Sequence, residues 1–453
     1  MKSPFLQIYI KFAILEEMKL KFEKIGINGE GIAKYKNIPV FCDGVLPGEY
    51  AEVEMIKDYG RYQMAKRKKV LTQSPYRIPP ICPNQERCGA CALMHAQESA
   101  QEIYKKDLLE EALWKYAHVK NHFIRTLRPS KKTLYYRTAC KLPIQMVDGE
   151  LVSGMYQPGT NHFIPIADCF VHTKELEQFR KAILDVLNAF SIQAYDPKTK
   201  SGIRYLVLRR IQNHGQCTLV TGKDSLSKEL IQALSKIPFM DALGQSINTK
   251  HKNHAIFETK TKLLYGSKTI EVAFNGLKIQ LSPESFFQLN VEQAEALYSL
   301  AVSKIDPCDT LVEAYCGVGV MSLLAASKVK HVIGIELTPE AIHNAKENAK
   351  KNHITNVTFK CGDAAKQYTK LSKTKRIDTL LVDPPRSGLD EAMMEAILQN
   401  PPEKIIYVSC NPATLAKNLK ALKHIYQVRT VLPFDFFPQT PLVEAIVVLS
   451  IHK

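Results

Sequence analysis

Three side chains able to make and break bonds stand at the ends of apolar runs in the last third of the chain. Asp383 opens Asp383-Pro384-Pro385-Arg386-Ser387-Gly388, Cys410 lies in Ser409-Cys410-Asn411-Pro412, and Glu444 closes Phe434-Asp435-Phe436-Phe437-Pro438-Gln439-Thr440-Pro441-Leu442-Val443-Glu444. A thiol at a strand end, just ahead of a polar helix start at Thr414, meets the positive end of a helix dipole, which favours thiolate. Most single cysteines are inert packing; an acid across the same cleft, Asp383, is what makes Cys410 a candidate nucleophile. Two prolines stiffen the turn after Asp383 and leave its carboxylate pointing out of the sheet edge, free to orient a planar heterocycle. Glu444, set among aromatics and prolines, is expected to hold its proton more tightly than a surface acid and to work as a base.

A second group has the residue types of a nucleoside site. Glu313-Ala314-Tyr315-Cys316-Gly317-Val318-Gly319-Val320 follows an apolar run and precedes a helical one, and Glu336 ends the next run. Gly317 and Gly319 let the backbone pass close under a ligand, and the Glu336 carboxylate can accept hydrogen bonds from both hydroxyls of a ribose. The third glycine of the dinucleotide fingerprint is missing, which argues for S-adenosylmethionine rather than NAD. Asp363, in Cys361-Gly362-Asp363, suits either an amide-edge contact to adenine or a helix N-cap.

These residues need a scaffold that gathers strand ends. Apolar strand candidates run over Thr310 to Glu313, His331 to Glu336, Asn356 to Cys361, Asp378 to Asp383, Lys404 to Ser409 and Val443 to Ile451, with helical segments between most of them. That alternation predicts an α/β unit with a doubly wound, mainly parallel sheet, in which ligands sit at the carboxyl ends of the strands. Ahead of it, residues from about 130 to 285 mix strands (Tyr135 to Gln145, Ile203 to Ile211, Cys217 to Thr221) with helices (Lys174 to Ala189, Ser225 to Ser235), an α+β pattern without a catalytic signature. His95 to Ala117 reads as an amphipathic helix. Residues 19 to 72 alternate as short strands punctuated by Asn28-Gly29, Gly31, Asp43-Gly44 and Pro47-Gly48, which suits a small β-barrel. Its last stretch carries Arg61, Lys66, Arg67, Lys68 and Lys69, which suits an RNA platform or a solvated charged strand.

Lys and Arg outnumber Asp and Glu 61 to 45 among 453 residues, so the net charge of +16 calls for a polyanionic partner, nucleic acid ahead of a membrane surface. No run of about 18 apolar residues occurs, so no membrane span is expected. Phe5 to Leu15 is broken by Lys11, lacks a cleavage site and leads into Glu16 and Glu17; it reads as neither signal peptide nor anchor, with Met18 as the expected start. A cytoplasmic location follows, and with it eleven reduced cysteines. Cys82, Cys88 and Cys91 share one loop, the pattern of metal ligands; their spacing alone does not separate zinc from iron–sulfur.

Tyr315-Cys316-Gly317-Val318-Gly319, Asp383-Pro384-Pro385-Arg386, Ser409-Cys410-Asn411-Pro412 and Phe437-Pro438-Gln439-Thr440 ahead of Glu444 together resemble the RNA uracil-5-methyltransferases that use S-adenosylmethionine. The resemblance covers nearly the whole chain. It implies a TRAM domain of OB-like barrel form at 18–72, a central α+β domain at 73–285, and a Rossmann-like catalytic domain at 286–453. Ser285-Phe286-Phe287-Gln288-Leu289-Asn290 is similar to the family's segment leading into the catalytic domain, where the Gln contacts the cofactor. By the same resemblance Gln288, Tyr315, Gly317, Gly319, Glu336, Asp363 and Asp383 line the cofactor site, Cys410 adds to C6 of uracil, Glu444 removes the C5 proton and Asp383 holds the uracil edge. The target base must leave its stack to be reached.

The resemblance further implies a [4Fe-4S] cluster on Cys82, Cys88 and Cys91, with Cys169 of Ala167-Asp168-Cys169-Phe170 as fourth ligand; Cys140, inside an alternating strand, is the rival and reads as packed. A barrel together with a thiol cluster favours 23S ribosomal RNA as the substrate, since tRNA members of the family generally lack both. Some positions depart from the family pattern: Leu442 stands where His is common, Glu313 replaces a more usual Asp, Val320 holds an often polar position, and Ala90 follows Gly89 where two glycines are frequent. None removes a catalytic group. The competing expectations are a tRNA methyltransferase, an amino-methylating enzyme, which would prefer an Asn-Pro-Pro-Tyr type of turn, and a non-catalytic redox-sensing RNA-binding protein. No membrane and no obligate protein partner is expected.

Overall fold

The computed structural model of the chain describes residues 17–250 and 256–452; Phe5 to Leu15 lies outside the described residues. The first five strands, β1 (Glu17–Ile25), β2 (Gly31–Tyr35), β3 (Ile38–Cys42), β4 (Tyr50–Asp58) and β5 (Gln63–Thr72), close into a barrel in the order β1-β2-β3-β5-β4. Alternation drives the closure: Leu20, Phe22, Val40, Val53 and Ala65 point inward and form its core. The basic stretch of β5 is partly neutralised within the protein, because Lys68 pairs with Glu54 of β4 and Arg67 with Glu86. The cationic edge expected from the sequence is therefore weaker than its lysine and arginine content suggests.

After the cysteine loop and its single turn α1 (Gln85–Cys88), helix α2 (Glu98–Ala117) starts later than expected. Its His95 to Gln97 approach is non-helical, because Gln97 Nα bonds Tyr76 O and Arg77 bridges Ala96 in β fashion. The central unit comprises β6 (Ala139–Val147), β7 (Glu150–Tyr156), β8 (Phe163–Pro165), α3 (Lys174–Ala189), β9 (Ile203–Ile211), β10 (His214–Thr221), α4 (Lys228–Ser235), β11 (Met240–Ile247) and β12 (Lys262–Gly266). Its strands form one sheet ordered β12-β11-β10-β9-β6-β7-β8. Thr173 and Ser227 cap α3 and α4 by accepting from Leu176 and Leu230 N–H, and both helices bury their apolar faces with Leu206, Leu208 and Leu219 of the sheet. A hairpin, β13 (Ile270–Phe274) and β14 (Leu277–Leu281), leads to the last unit.

That unit contains α5 (Val291–Ser303), β15 (Cys308–Ala314), α6 (Val320–Ala325), β16 (Val329–Glu336), α7 (Pro339–Lys351), β17 (Val357–Cys361), α8 (Ala364–Ser372), β18 (Thr379–Val382), α9 (Glu391–Gln399), β19 (Lys404–Ser409), α10 (Pro412–Leu422), β20 (Tyr426–Phe434) and β21 (Glu444–Ile451). The strand order is β17-β16-β15-β18-β19-β21-β20, parallel from β17 through β19. β21 runs antiparallel between β19 and β20. β20 was not expected from the sequence: Gln427, Arg429, Thr430 and Pro433 blur its alternation, which an edge strand tolerates. Residues alternate between two cores, with Leu311, Leu381 and Ile406 in one and Val312, Leu380 and Ile405 in the other.

One loop, 435–443, ties these parts together. Lys105 of α2 forms a buried ion pair with Asp435, and Gln101 exchanges two hydrogen bonds with Gln439 at 2.8 and 2.9 Å. Tyr136 Oη donates to Pro438 O, Asn290 Nδ2 to Phe436 O, and Leu93 N–H to Gln439 O. No helix among the described residues is long and apolar enough to cross a membrane.

Candidate active site

The parallel strands deliver their carboxyl ends to one edge, and the order reverses between β15 and β18, the crevice where such sheets hold ligands. Asp383 follows β18 and Cys410 follows β19. Because β21 is antiparallel, its first residue, Glu444, reaches that same edge. The register pairs Ser409 with Ala445, so Cys410 and Glu444 stand side by side at the lip.

Cys410 feels the charge of both carboxylates, and Glu444 that of Asp383. Burial pushes the Cys410 thiol up to about 11, and Glu444 and Asp383 add to the rise while Arg386 opposes it. The resting sulfur is thus protonated at neutral pH: burial and two acids outweigh the helix dipole that the sequence led us to expect would favour thiolate. Asp383 is pushed up to about 7 by burial. Glu444 is held well above the ordinary carboxylate range by burial and then by Asp383, with Arg386 opposing. Neither carboxylate has a hydrogen-bond partner among the described residues, so both are available to a substrate.

Side chains of the Cys410 turn and of α10 lock onto the backbone of the Asp383 turn. Asn411 caps α10, while its Nδ2 and Thr414 Oγ1 both donate to Arg386 O at 3.0 and 3.2 Å. Asn418 of α10 binds Leu389 N–H and C=O and accepts from Tyr407 Oη. Gly388, at φ 78°, lies where a Cβ would stand 2.6 Å from Asn418 Oδ1. Thr414 and Asn418, one turn apart on α10, thereby fix the Asp383 turn against the Cys410 turn.

On the other side of the crevice the glycine loop takes φ values of 66° at Tyr315, 54° at Gly317 and 84° at Gly319. A Cβ on Gly319 would strike the Phe359 ring at 2.6 Å, whereas one on Gly317 would enter open space. Gly317 therefore leaves a cradle that a ligand can approach closely, and S-adenosylmethionine fits that cradle. Glu336 lies beside it, accepting from Gly317 N–H at 3.2 Å and Thr338 N–H at 2.9 Å. Asp363 is the N-cap of α8, accepting from Lys366 N–H at 3.0 Å, and it is exposed at the same edge. Gln288 donates to Tyr298 Oη at 3.1 Å, and that buried hydroxyl is in turn pushed up by burial and by Asp383. Glu313 is buried, bonded to Ser322, and raised to about 8 by burial, so it supports the loop from below.

Three residues here carried no role in the sequence reading. Arg386 was visible in its motif, yet only the fold shows its charge facing both Cys410 and Glu444. Phe286 is 73% exposed two residues before Gln288, and Tyr298, on α5, has no sequence signal beyond helical periodicity.

The four predicted cysteine ligands, 82, 88, 91 and 169, line one cavity of about 430 Å³. Cys91 is raised to about 12 by burial. Cys169 alone of the four is lowered: burial pushes it up, but the hydrogen bond and charge of His172 and the backbone N–H groups of Val171 and His172 outweigh that. Its loop is gripped by α3. Glu177 accepts from Cys169 N–H at 3.1 Å and contacts His172 Nδ1 at 2.7 Å, and Arg180 bonds both Glu177 and Ala167 O. Cys140 is buried in the central core, and it also lines this cavity. Among the described residues no group of three or more His, Cys, Asp or Glu is arranged to hold a metal ion. The four thiols share the wall of one cavity without being gathered around a common point.

Residues 104–452 match the model of the tRNA (Uracil-5-)-methyltransferase family, and residues 14–66 match that of the TRAM domain. An RNA methyltransferase of Bacillus cereus is 35% identical over 445 residues, covering 96% of each chain. One from Streptococcus pneumoniae is 34% identical over 446 residues, covering 96% of this chain and 98% of its own. Among solved structures, the Pyrococcus abyssi tRNA (uracil-54, C5)-methyltransferase in complex with S-adenosyl-L-homocysteine superposes with a TM-score of 0.75 over 95% of this chain and 100% of that one; at 23% identity it speaks for the fold alone. The match across the catalytic sheet and the crevice it builds lead to one conclusion: the chain belongs to the tRNA (uracil-5-)-methyltransferase family of S-adenosylmethionine-dependent RNA methyltransferases and carries a TRAM domain.

Proposed function

We propose that this chain methylates C5 of a specific uridine in 23S ribosomal RNA, through a transient bond between Cys410 and uracil C6. The observation that carries the reading is the convergence of Cys410, Asp383 and Glu444 at one lip, opposite the open cradle at Gly317. S-adenosylmethionine supplies the electrophilic methyl group. Uracil C5 is too weak a nucleophile to take it unaided. When Cys410 sulfur bonds to C6, the C5–C6 π pair moves toward C5 and the O4 carbonyl, and C5 becomes nucleophilic. The thiol proton has to leave first; Asp383, the partly ionised acid of the site, accepts it and returns it when the C6–S bond breaks, which leaves Glu444 for the C5 proton. Asp383, half ionised near neutrality, holds the uracil edge, and Arg386 offsets the charge gathered at the lip. After methyl transfer Glu444 takes the C5 proton, the C5–C6 double bond re-forms and the C6–S bond breaks. Gln288, Tyr315, Gly317, Gly319, Glu336 and Asp363 line the cofactor side, and the exposed Phe286 ring offers a flat face to an unstacked base.

The functional units we assign are 18–72 for RNA binding, 73–285 as the central unit, and 286–453 for catalysis, working in the cytoplasm. Cys82, Cys88, Cys91 and Cys169 would hold a [4Fe-4S] cluster bracing the central unit, with no electron needed by the reaction. The barrel and this thiol set favour ribosomal RNA. Transfer RNA is the second reading, favoured by the substrate of the Pyrococcus abyssi neighbour.

The test is to incubate the protein and S-adenosylmethionine with unmodified 23S ribosomal RNA or tRNA transcripts carrying 5-fluorouridine. Fluorine at C5 blocks proton removal, so a denaturation-resistant protein–RNA adduct should accumulate with the ribosomal transcript and vanish with Cys410→Ala. An adduct on tRNA alone moves the substrate assignment, and adduct formation that survives loss of the thiol ends the mechanism. Anaerobically purified protein should be brown; a colourless preparation that binds zinc instead would overturn the cluster.

A further inference from the structure

The buried Glu444 carboxylate has no hydrogen-bond partner among the described residues, so its place at the lip depends on the chain to either side of it. On one side β21 pairs with its neighbours, Glu444 with Phe434 and Ala445 with Ser409. On the other stands the 435–443 loop. Its middle residue, Gln439, sits at a φ of 70°, in the left-handed region that residues other than glycine rarely adopt. A residue held there needs surroundings that over-determine it.

Gln439 has such surroundings. Gln101 of α2 donates from Nε2 to Ala96 O and to Gln439 Oε1, both at 2.9 Å, and its Oε1 accepts Gln439 N–H at 2.8 Å. Ala96 O can only accept and Gln439 N–H can only donate, so the Gln101 amide has one orientation. Gln439 Oε1 is thereby an acceptor, and its Nε2 donates to Thr133 O at 3.3 Å. Leu93 N–H binds Gln439 O at 2.9 Å. Both side chains are buried, and a fully satisfied buried network holds a single geometry. Gln101 lies one turn from Lys105, so one face of α2 grips the loop at Asp435 and again at Gln439. The same turn is fixed to the barrel, where Ala100 and Tyr104 pack with Leu93, Ala96, Ile25 and Leu46. From Gln439 the path to Glu444 is short and stiff. Thr440 Oγ1 donates to Phe437 O at 2.7 Å and accepts Leu442 N–H at 3.3 Å. Pro441 lies 3.6 Å from where a Cβ on Gly29, in the turn between β1 and β2, would stand.

We propose that Gln101 and Gln439 are positioning residues for the C5 proton transfer: their paired amides set the 435–443 loop so that the Glu444 carboxylate meets the proton on C5. This rests on the uridine methylation reading above and adds to it a role, confined to one step, for two buried side chains outside the crevice. Cys410 and Asp383 follow β19 and β18, which the loop does not carry. Disturbing the amide pair should therefore spare addition of sulfur to C6 and methyl transfer. It should slow the last step, in which Glu444 takes the proton, the C5–H pair re-forms the C5–C6 double bond and the C6–S pair leaves on sulfur.

The experiment compares full-length wild type, Gln101→Met and Gln439→Met with S-adenosylmethionine and the RNA that wild type traps, in its 5-fluorouridine and ordinary forms. Met keeps the length of Gln and removes its hydrogen bonds. On the fluorinated RNA no proton removal occurs, so adduct formation reads addition and methyl transfer alone. On the ordinary RNA the decay of the adduct on a denaturing gel reads proton removal. Both variants should trap fluorinated RNA as fast as wild type and release the ordinary adduct about 100-fold more slowly, the effect of a displacement of about 1 Å at a reacting group. Release at the wild-type rate means that sheet pairing alone places Glu444, and it overturns the proposal. Trapping that slows by the same factor as release in both variants means that the pair only holds the fold, and it overturns the proposal too. If Gln101→Met does not melt cooperatively, Gln439→Met decides, since it keeps the backbone bonds of residue 439 to Gln101 and Leu93; failure of both to trap counts against the positioning role. Wild type that traps nothing sinks the methylation reading itself, whereas wild type that traps beside variants that release normally sinks only the amide pair.

Discussion

Replacing Asp383 with Asn should stabilise the protein at alkaline pH and leave it unchanged at acid pH. The Asp383 carboxyl titrates at 3.8 when unfolded and is raised to about 7 in the fold, by burial. Between those values the folded state holds a proton that the unfolded state has lost, so stability is fully present below the unfolded value and declines as pH rises through the folded one. A shift of about three units at about 1.4 kcal/mol each sets an upper bound of roughly 4 kcal/mol. Asn has nearly the same shape and no charge. The variant-minus-wild-type difference should therefore start near zero at about pH 4, grow through the acid range, and level off above about pH 7. Relief of Glu444, whose proton Asp383 helps to retain, acts in the same direction. Thermal unfolding of both proteins across this range reads the difference as several degrees of Tm. Methyl transfer should fall in the variant, because the uracil edge loses its acceptor. A difference that is flat across pH would refute the burial argument, and with it the idea that this acid is kept strained for the substrate.

Gly319→Ala places a methyl against Phe359 at positive φ and should lower Tm as well as S-adenosylmethionine binding. Gly317→Ala bears the positive-φ strain as well but meets no atom, so calorimetry should find cofactor affinity reduced with a smaller loss of Tm than in Gly319→Ala. Lys105→Met strands Asp435 without its counter-ion; a loss of about 3–5 kcal/mol is expected from urea melts, together with slower methylation, because the 435–443 loop positions Glu444. Glu444→Gln should accumulate the covalent adduct on ordinary uridine, visible as a slow band on a denaturing gel, and rapid turnover by this variant would remove Glu444 as the base.

The sequence by itself determined which residues would crowd one edge. Parallel strands separated by helices must present their carboxyl ends together, so Glu336, Asp383 and Cys410 were assignable to a common mouth from the apolar runs alone. Local chemistry was equally legible: Lys174 to Ala189 and Lys404 to Ser409 begin and end where the periodicity places them. Asp363 shows the limit, since the same residue reads as cap or as cofactor contact and only the structure shows the cap made.

Tertiary structure decided what depends on distance along the chain. β20 has weak alternation, and without it nothing fixes β21 as antiparallel; yet that direction is what brings Glu444 beside Cys410. Arg180, Glu177 and His172 convert Cys169 from a distant cysteine into the least basic of four. Lys105 and Asp435 are 330 residues apart, and no local pattern announces a buried pair. The proton on Cys410 belongs to the same class. A helix dipole is written in a few adjacent residues, but burial and the charges of Asp383 and Glu444, which overrule it, exist only once distant strands have met.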